Sequence, residues 1–180
     1  MRWRLLPLVL LAACADDAER SAPLPPTSDG TTDTTATIST GLAGAAAGQV
    51  LYVPAYSHVY SGDRERPVLL TATLSVRNTD PQRAIRLVGV RYVGSEGQVI
   101  RSYLDAPRVL APLATAAYVV AESDRAGGSG ASFLVEWAAD APVASPVVEA
   151  VMISTAGQQG ISFVTEGRVI DEVAPEADQP

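Results

Sequence analysis

From Leu70 to Arg77 the chain alternates between apolar and polar positions. Leu70, Ala72, Leu74 and Val76 fall on one side, and Thr71, Thr73, Ser75 and Arg77 on the other. A two-residue period is that of an extended strand with one face buried. "SFLVEWA" repeats the pattern, with Phe133, Val135 and Trp137 on one side and Glu136 on the other. "AIRLVGVRYVG", "QVIRSYL", "TAAYVVA", "PVVEAVMIST" and "ISFVTEGRVI" are rich in β-branched and aromatic residues and are bounded by Gly, Pro, Asn or Asp. Each reads as a strand. "GSEGQ", residues 94–98, reads as a hairpin connection, and "NTDPQ", residues 78–82, as a turn with Asp80 before Pro81. No segment carries a capped 3.6-residue stripe. About eight short strands predict an all-β fold, an antiparallel two-layer sandwich of immunoglobulin-like type, with a small β-barrel as the alternative.

The pattern fades at both ends of the chain. Residues 15–47 are rich in Asp, Pro, Ser, Thr, Ala and Gly and contain no aromatic residue. Such a segment buries too little apolar surface to offset its ordering entropy and reads as a leash. As a coil it spans about 30 Å. The expected organisation is a targeting segment at 1–13, a linker from Cys14 to residue 48, a β-sandwich domain over 49–171 and a disordered tail at 172–180. A domain of that size can build a core without disulfides or metal.

The first residues, "MRWRLLPLVLLAAC", set two arginines before an apolar run from Leu5 to Ala13. Nine helical residues rise only about 14 Å, too short for a bilayer core. The segment therefore reads as a signal peptide. Leu11-Ala12-Ala13-Cys14 resembles the lipobox of bacterial lipoprotein signals. That resemblance implies cleavage before Cys14 and acylation of its sulfur, so that the membrane is a partner through a lipid anchor. More than one acyl chain is what makes such an anchor stable. The implied location is the cell membrane or outer membrane, facing the periplasm or the exterior.

Composition narrows the chemistry. The net charge is −7, and all 13 cations are arginine. Without lysine there is neither Schiff-base chemistry nor a Walker-type phosphate loop. The acidity disfavours nucleic acid as a partner. Cys14 is the one cysteine and His58 the one histidine, which excludes an internal disulfide and a thiolate-rich zinc site. Asp63, Glu122, Asp124 and Glu136 match no compact calcium loop, so no metal and no cofactor is expected. "RAGGSGA", residues 125–131, precedes a strand and reads as a tight turn, where a phosphate cradle would need a helix. Ser57 and His58 are neighbours. In an extended strand adjacent side chains point apart, so no nucleophile–base pair is expected and the chain reads as a non-enzyme.

One stretch stands out, "VLYVPAYSHVYSGD", residues 50–63. If it is extended, Tyr52, Pro54, Tyr56, His58 and Tyr60 share one face, with Leu51, Val53 and Val59 opposite. A row of tyrosines suits a contact surface. The candidate binding face is Tyr52, Tyr56, His58, Tyr60 and Asp63. The plainer reading packs that row under a loop, with Pro54 interrupting the ladder at an edge.

The runs "VLYVPAYSHVYSGD", "LTATLSVRNTDP", "GGSGASFLVEWAA" and "PVVEAVMIST" together resemble an uncharacterised family of bacterial exported proteins, a domain of unknown function. The resemblance spans the core and brings no activity, ligand or catalytic residue with it. The functional expectation is a non-catalytic envelope lipoprotein that binds a protein or surface polymer. The alternative is a periplasmic carrier of a small ligand or metal ion using His58 and Asp63.

Overall fold

The structure, a computed structural model, describes residues 40–155 and 160–173. The expected signal peptide, Cys14, most of the linker and the end of the tail lie outside the described residues. A short 3-10 helix, Thr40–Leu42, leads into twelve strands. These are β1 (Ala47–Pro54), β2 (His58–Ser61), β3 (Asp63–Leu69), β4 (Thr71–Arg77), β5 (Ile85–Val93) and β6 (Val99–Ser102), followed by β7 (Arg108–Leu110), β8 (Thr115–Val120), β9 (Ser132–Ala139), β10 (Val147–Ser154), β11 (Ile161–Glu166) and β12 (Arg168–Glu172). β1 opens two residues before the expected domain start at Gln49, and β12 closes one residue after the expected end at Asp171.

The fold is the expected two-layer antiparallel sandwich. One sheet runs β12-β1-β9-β5-β6, with β7 also on β5, and the other runs β11-β10-β4-β8. All pairings are antiparallel, and the sheets do not close into a barrel. The inner faces carry the alternating residues read from the sequence. Leu70, just before β4, Leu74 and Val76 of the second sheet, and Phe133, Val135 and Trp137 of the first, are all at most 1% exposed. Burying one such side chain contributes about 1.5–3 kcal/mol, which fixes the register of β4, where a one-residue slip would turn Leu74 and Val76 to the outer face.

Three features depart from the strand reading. "ISFVTEGRVI" forms two strands in different sheets. β11 lies beside β10, whereas β12 lies beside β1, and the chain changes sheet at Gly167. The Gly167 N–H donates to the Val148 carbonyl at 2.8 Å. A Cβ there would press on Leu51, Val53 and that same carbonyl at 3.2–3.3 Å, so the corner favours glycine. Next, β9 is buried along its whole length, including the outward Leu134, Glu136 and Ala138. Glu136, whose polar side suggested a solvent face, is 2% exposed and forms an ion pair with Arg91 across the β5–β9 ladder. The third departure is the stretch after β1, where the candidate site lies.

The turn at 78–82 ties the two layers together. Buried Asn78 donates from Nδ2 to the carbonyls of Arg83, Leu110 and Ala111, and its Oδ1 accepts from the Asp80 N–H at 3.0 Å. Asp80 in turn accepts from the backbone of Gln82 and Arg83 at 2.8 Å and from Ala144 at 3.4 Å. Those backbone hydrogen bonds to the ionised form hold the Asp80 carboxyl below its usual range.

Candidate functional site

Residues 50–60 are not one strand. β1 ends at Pro54, the chain bends through 55–57, and a separate two-stranded arm begins at His58. The row of alternating residues is therefore divided. Tyr52 is on the outer side of the first sheet, paired with Leu134, and 37% exposed. Tyr56 lies in the bend, half-buried, with its ring set edge-on to Phe163 of β11 at 5.8 Å. It packs against the flank of the core. Val59 also packs against the margin of the core.

His58 and Tyr60 stay together. Their rings meet edge-to-face at 5.2 Å, and His58 Nε2 lies 3.2 Å from the Tyr60 hydroxyl. Contrary to the strand argument, Ser57 also reaches His58, with Oγ 3.2 Å from Nδ1. The reason is the bend. Ser57 precedes β2, so the opposite-face rule for neighbours in a strand does not govern it.

Hydrogen-bond direction shows what this contact does. Ser57 Oγ donates to the Gly128 carbonyl at 3.0 Å. With that hydrogen committed, the tautomer that fits both contacts is the one with Nδ1 donating to Ser57 Oγ and Nε2 accepting from the Tyr60 hydroxyl. The imidazole thus bridges an internal anchor to the exposed Tyr60. Ser57 is 1% exposed with its hydrogen committed to a carbonyl, an arrangement that leaves it unsuited to attack a substrate.

The Gly-rich segment 125–131 supplies that anchor. Ser57 N–H also donates to the Gly128 carbonyl at 3.2 Å, and Ala55 N–H to the Ala131 carbonyl at 2.9 Å. Ser95, from the β5–β6 turn, donates to the Gly127 carbonyl at 2.9 Å and accepts from Gly130 N–H at 2.9 Å. Beneath the segment is Tyr92. Burial, aided by the Asp124 carboxylate, pushes its phenol up to about 12. A Cβ at Gly127 would overlap the Tyr92 hydroxyl, so the loop closes down on the core only because glycine stands there. The tight-turn reading of this segment fits what it does.

Asp63 opens β3 at the tip of the arm, 3.8 Å from Arg66. Residues 61–67 are all exposed. The arm is rooted where Leu70 N–H donates to the Ser57 carbonyl at 3.0 Å, and neither of its strands pairs with the main sheets. Sequence reading missed it as an element. The available signal was Gly62 followed by four charged residues and Pro67, a run with no apolar alternation, which marks a hairpin tip. Among the described residues no group of three or more His, Cys, Asp or Glu side chains is placed to hold a metal ion. Glu136 is held by Arg91, and Asp124 is bound to Arg101 at 2.8 Å.

The site lies at a defined end of the sandwich. Ala47 pairs with Ala139 at one end of the β1–β9 ladder, and Pro54 with Ser132 at the other. The described chain enters beside Ala139 (Ala46 N–H to its carbonyl, 2.9 Å) and ends beside Gly48 (Val173 N–H to its carbonyl, 2.9 Å). The arm and the Gly-rich segment are at the opposite end, about 25 Å away along eight extended residues.

Comparisons with known proteins agree with an uncharacterised family. A search of curated proteins finds no match. A solved structure described as "Crystal Structure of Thermotoga maritima 1070" aligns with a TM-score of 0.42 and 10% identity, over 67% of this chain and 92% of that one. The family model DUF3124, "Protein of unknown function", matches residues 48–170, from the second residue of β1 into β12, and the chain belongs to that family.

Proposed function

We propose that this protein is a non-catalytic, lipid-anchored cell-envelope protein that holds a partner protein or surface polymer at the end of its sandwich remote from the tether. The observation that supports the reading is the arm, residues 58–69. It pairs with neither sheet, yet it is held in place through Ser57 and Gly128 and presents Tyr60, 47% exposed, beside His58. A short two-stranded ribbon is marginal by itself, so a fixed root is what gives it a defined direction. Tyrosine is rigid, large and polar at its tip, properties that favour contact surfaces. The anchor is assigned to Cys14 on the sequence pattern, with a leash that sets the domain off from the membrane.

Two measurements test the two parts. Mass spectrometry of the mature chain should show residues 1–13 removed and diacylglyceryl on Cys14. An unmodified thiol there, or a chain starting at Met1, would refute the anchor. A photo-crosslinking residue at Tyr60 in cells should capture a discrete adduct that the same probe at Val109 does not. Identical patterns from both positions, or none from Tyr60, would refute the arm as the contact site.

A further inference from the structure

The two outer faces of the sandwich differ. The second sheet shows an open one, where Val119, Ile153 and Val164 are 52%, 45% and 56% exposed. On the first sheet Val50 and Ala138 are fully buried and Glu136 is 2% exposed. Val50 stands opposite Glu136 in the β1–β9 ladder, and Gly48 opposite Ala138. This is the outward row, and neither Val50 nor Ala138 belongs to the hydrophobic cluster between the sheets. Its own neighbours are too small to bury it. Gly48 and Gly89 flank it without side chains, and Asp171, across from Val50 on β12, is exposed. The second sheet packs on the opposite face. The described element found on this one is the 3-10 helix Thr40–Leu42, which packs against β9. A Cβ on Gly48 would meet Leu42 Cδ2 at 2.9 Å, so Leu42 takes the place of the missing side chain. Val50 and Glu136 stand one row further, about 7 Å along the strands.

We infer that residues 36–39 of the same chain, which lead into that helix, dock on this row and seat Ile38 over Val50 and the Arg91–Glu136 ion pair. Continuity and composition select that occupant. Ile38 is two residues before Thr40, and two extended residues reach about 7 Å, the distance from the Leu42 row to the Val50 row. Between Pro26 and Thr40, Ile38 is the one large apolar residue, and residues 34–39 carry no charge. Such a cover suits a buried ion pair, which is costly to leave beside a further unpaired charge. The tail, residues 174–180, also starts near Gly48, but Glu176 and Asp178 would bring carboxylates up to Glu136. Ile38 thereby belongs to the domain, and the leash of the function proposed above ends at residue 35.

The inference uses neither the arm nor the acyl group, so its failure leaves the proposed function standing. Alkylation by N-ethylmaleimide tests it, on the purified full chain in one fixed non-ionic detergent, with the labelled position located by peptide mass spectrometry. The thiol of Ile38→Cys should react at least about tenfold more slowly than that of Thr31→Cys, because it must wait for local opening. The two rates should meet in denaturant. Equal rates without denaturant overturn the proposal. From the other side, the thiol of Val50→Cys should react slowly. Adding Ile38→Asp should speed it at least about tenfold, since an unpaired carboxylate is expelled from the row. Removing residues 174–180 should leave it unchanged. No effect of Ile38→Asp, or opening by loss of the tail instead, also overturns the proposal. A retained cooperative melt separates opening of the face from loss of the fold. Where Ile38→Asp abolishes that melt, the Ile38→Cys rate decides.

Discussion

At the scale of single residues, the polar groups that matter most to the fold are Asn78 and Asp80. Asn78 is 2% exposed and satisfies three carbonyls from two different segments. Asn78→Ala removes those donors and leaves buried acceptors unpaired, which should destabilise the protein by roughly 1–3 kcal/mol in chemical denaturation. Leu110 and Ala111 would also lose a tie that adds to the pairing of β7 with β5. Asp80 adds a pH dependence with a defined sign. Its folded-state carboxyl is held below its ordinary value of 3.8, mainly by the backbone hydrogen bonds from Gln82 and Arg83. The stabilisation it contributes is therefore fully present above the unfolded value and is lost as pH falls through the folded one. Denaturation midpoints should fall below about pH 4 in the wild type, and less steeply in Asp80→Asn. Equal slopes in the two proteins would show that other carboxylates carry the acid sensitivity.

At the scale of elements, the arm and the core behave as separate stability classes. The tip, Ser61–Arg66, is exposed throughout and belongs to no main sheet. Replacing it with a two-residue turn should change stability by no more than about 0.5 kcal/mol, measured by thermal unfolding. Within the strands of the described residues, amide exchange should be fastest there and slowest in β9, whose eight residues are all buried. The elements that sequence reading found are those with one clean period. β4 alternated and formed as expected. The 50–60 stretch also alternated, but its period crossed a bend, because Pro54 and the anchoring of Ser57 by Gly128 end β1 there. That anchor joins residues 71 positions apart, and local spacing carries no trace of it. β11 and β12 were merged for the same reason. Their apolar pattern runs through Gly167, and only the Val148 carbonyl, distant in sequence, tells them apart. Of the candidate face read from the sequence, the structure keeps His58 with Tyr60, which are two residues apart within β2, and separates Tyr52 and Tyr56.

At the scale of the whole domain, the path of the chain gives the sandwich two unlike ends. One end carries the arm, the Gly-rich segment and the β5–β6 turn, cross-linked through Ser57, Ser95 and Gly128. The other holds both boundaries of the described fold, where Val173 bonds directly to Gly48. Because those boundaries nearly touch, a few residues of Gly and Ser would splice them, and new termini opened at Gly62 would cut no main-sheet strand. Such a circularly permuted domain should fold with an unfolding midpoint close to that of the parent. It would also invert the attachment: a fusion hung from the new ends would sit where Tyr60 now projects, turning the contact surface into the point of suspension.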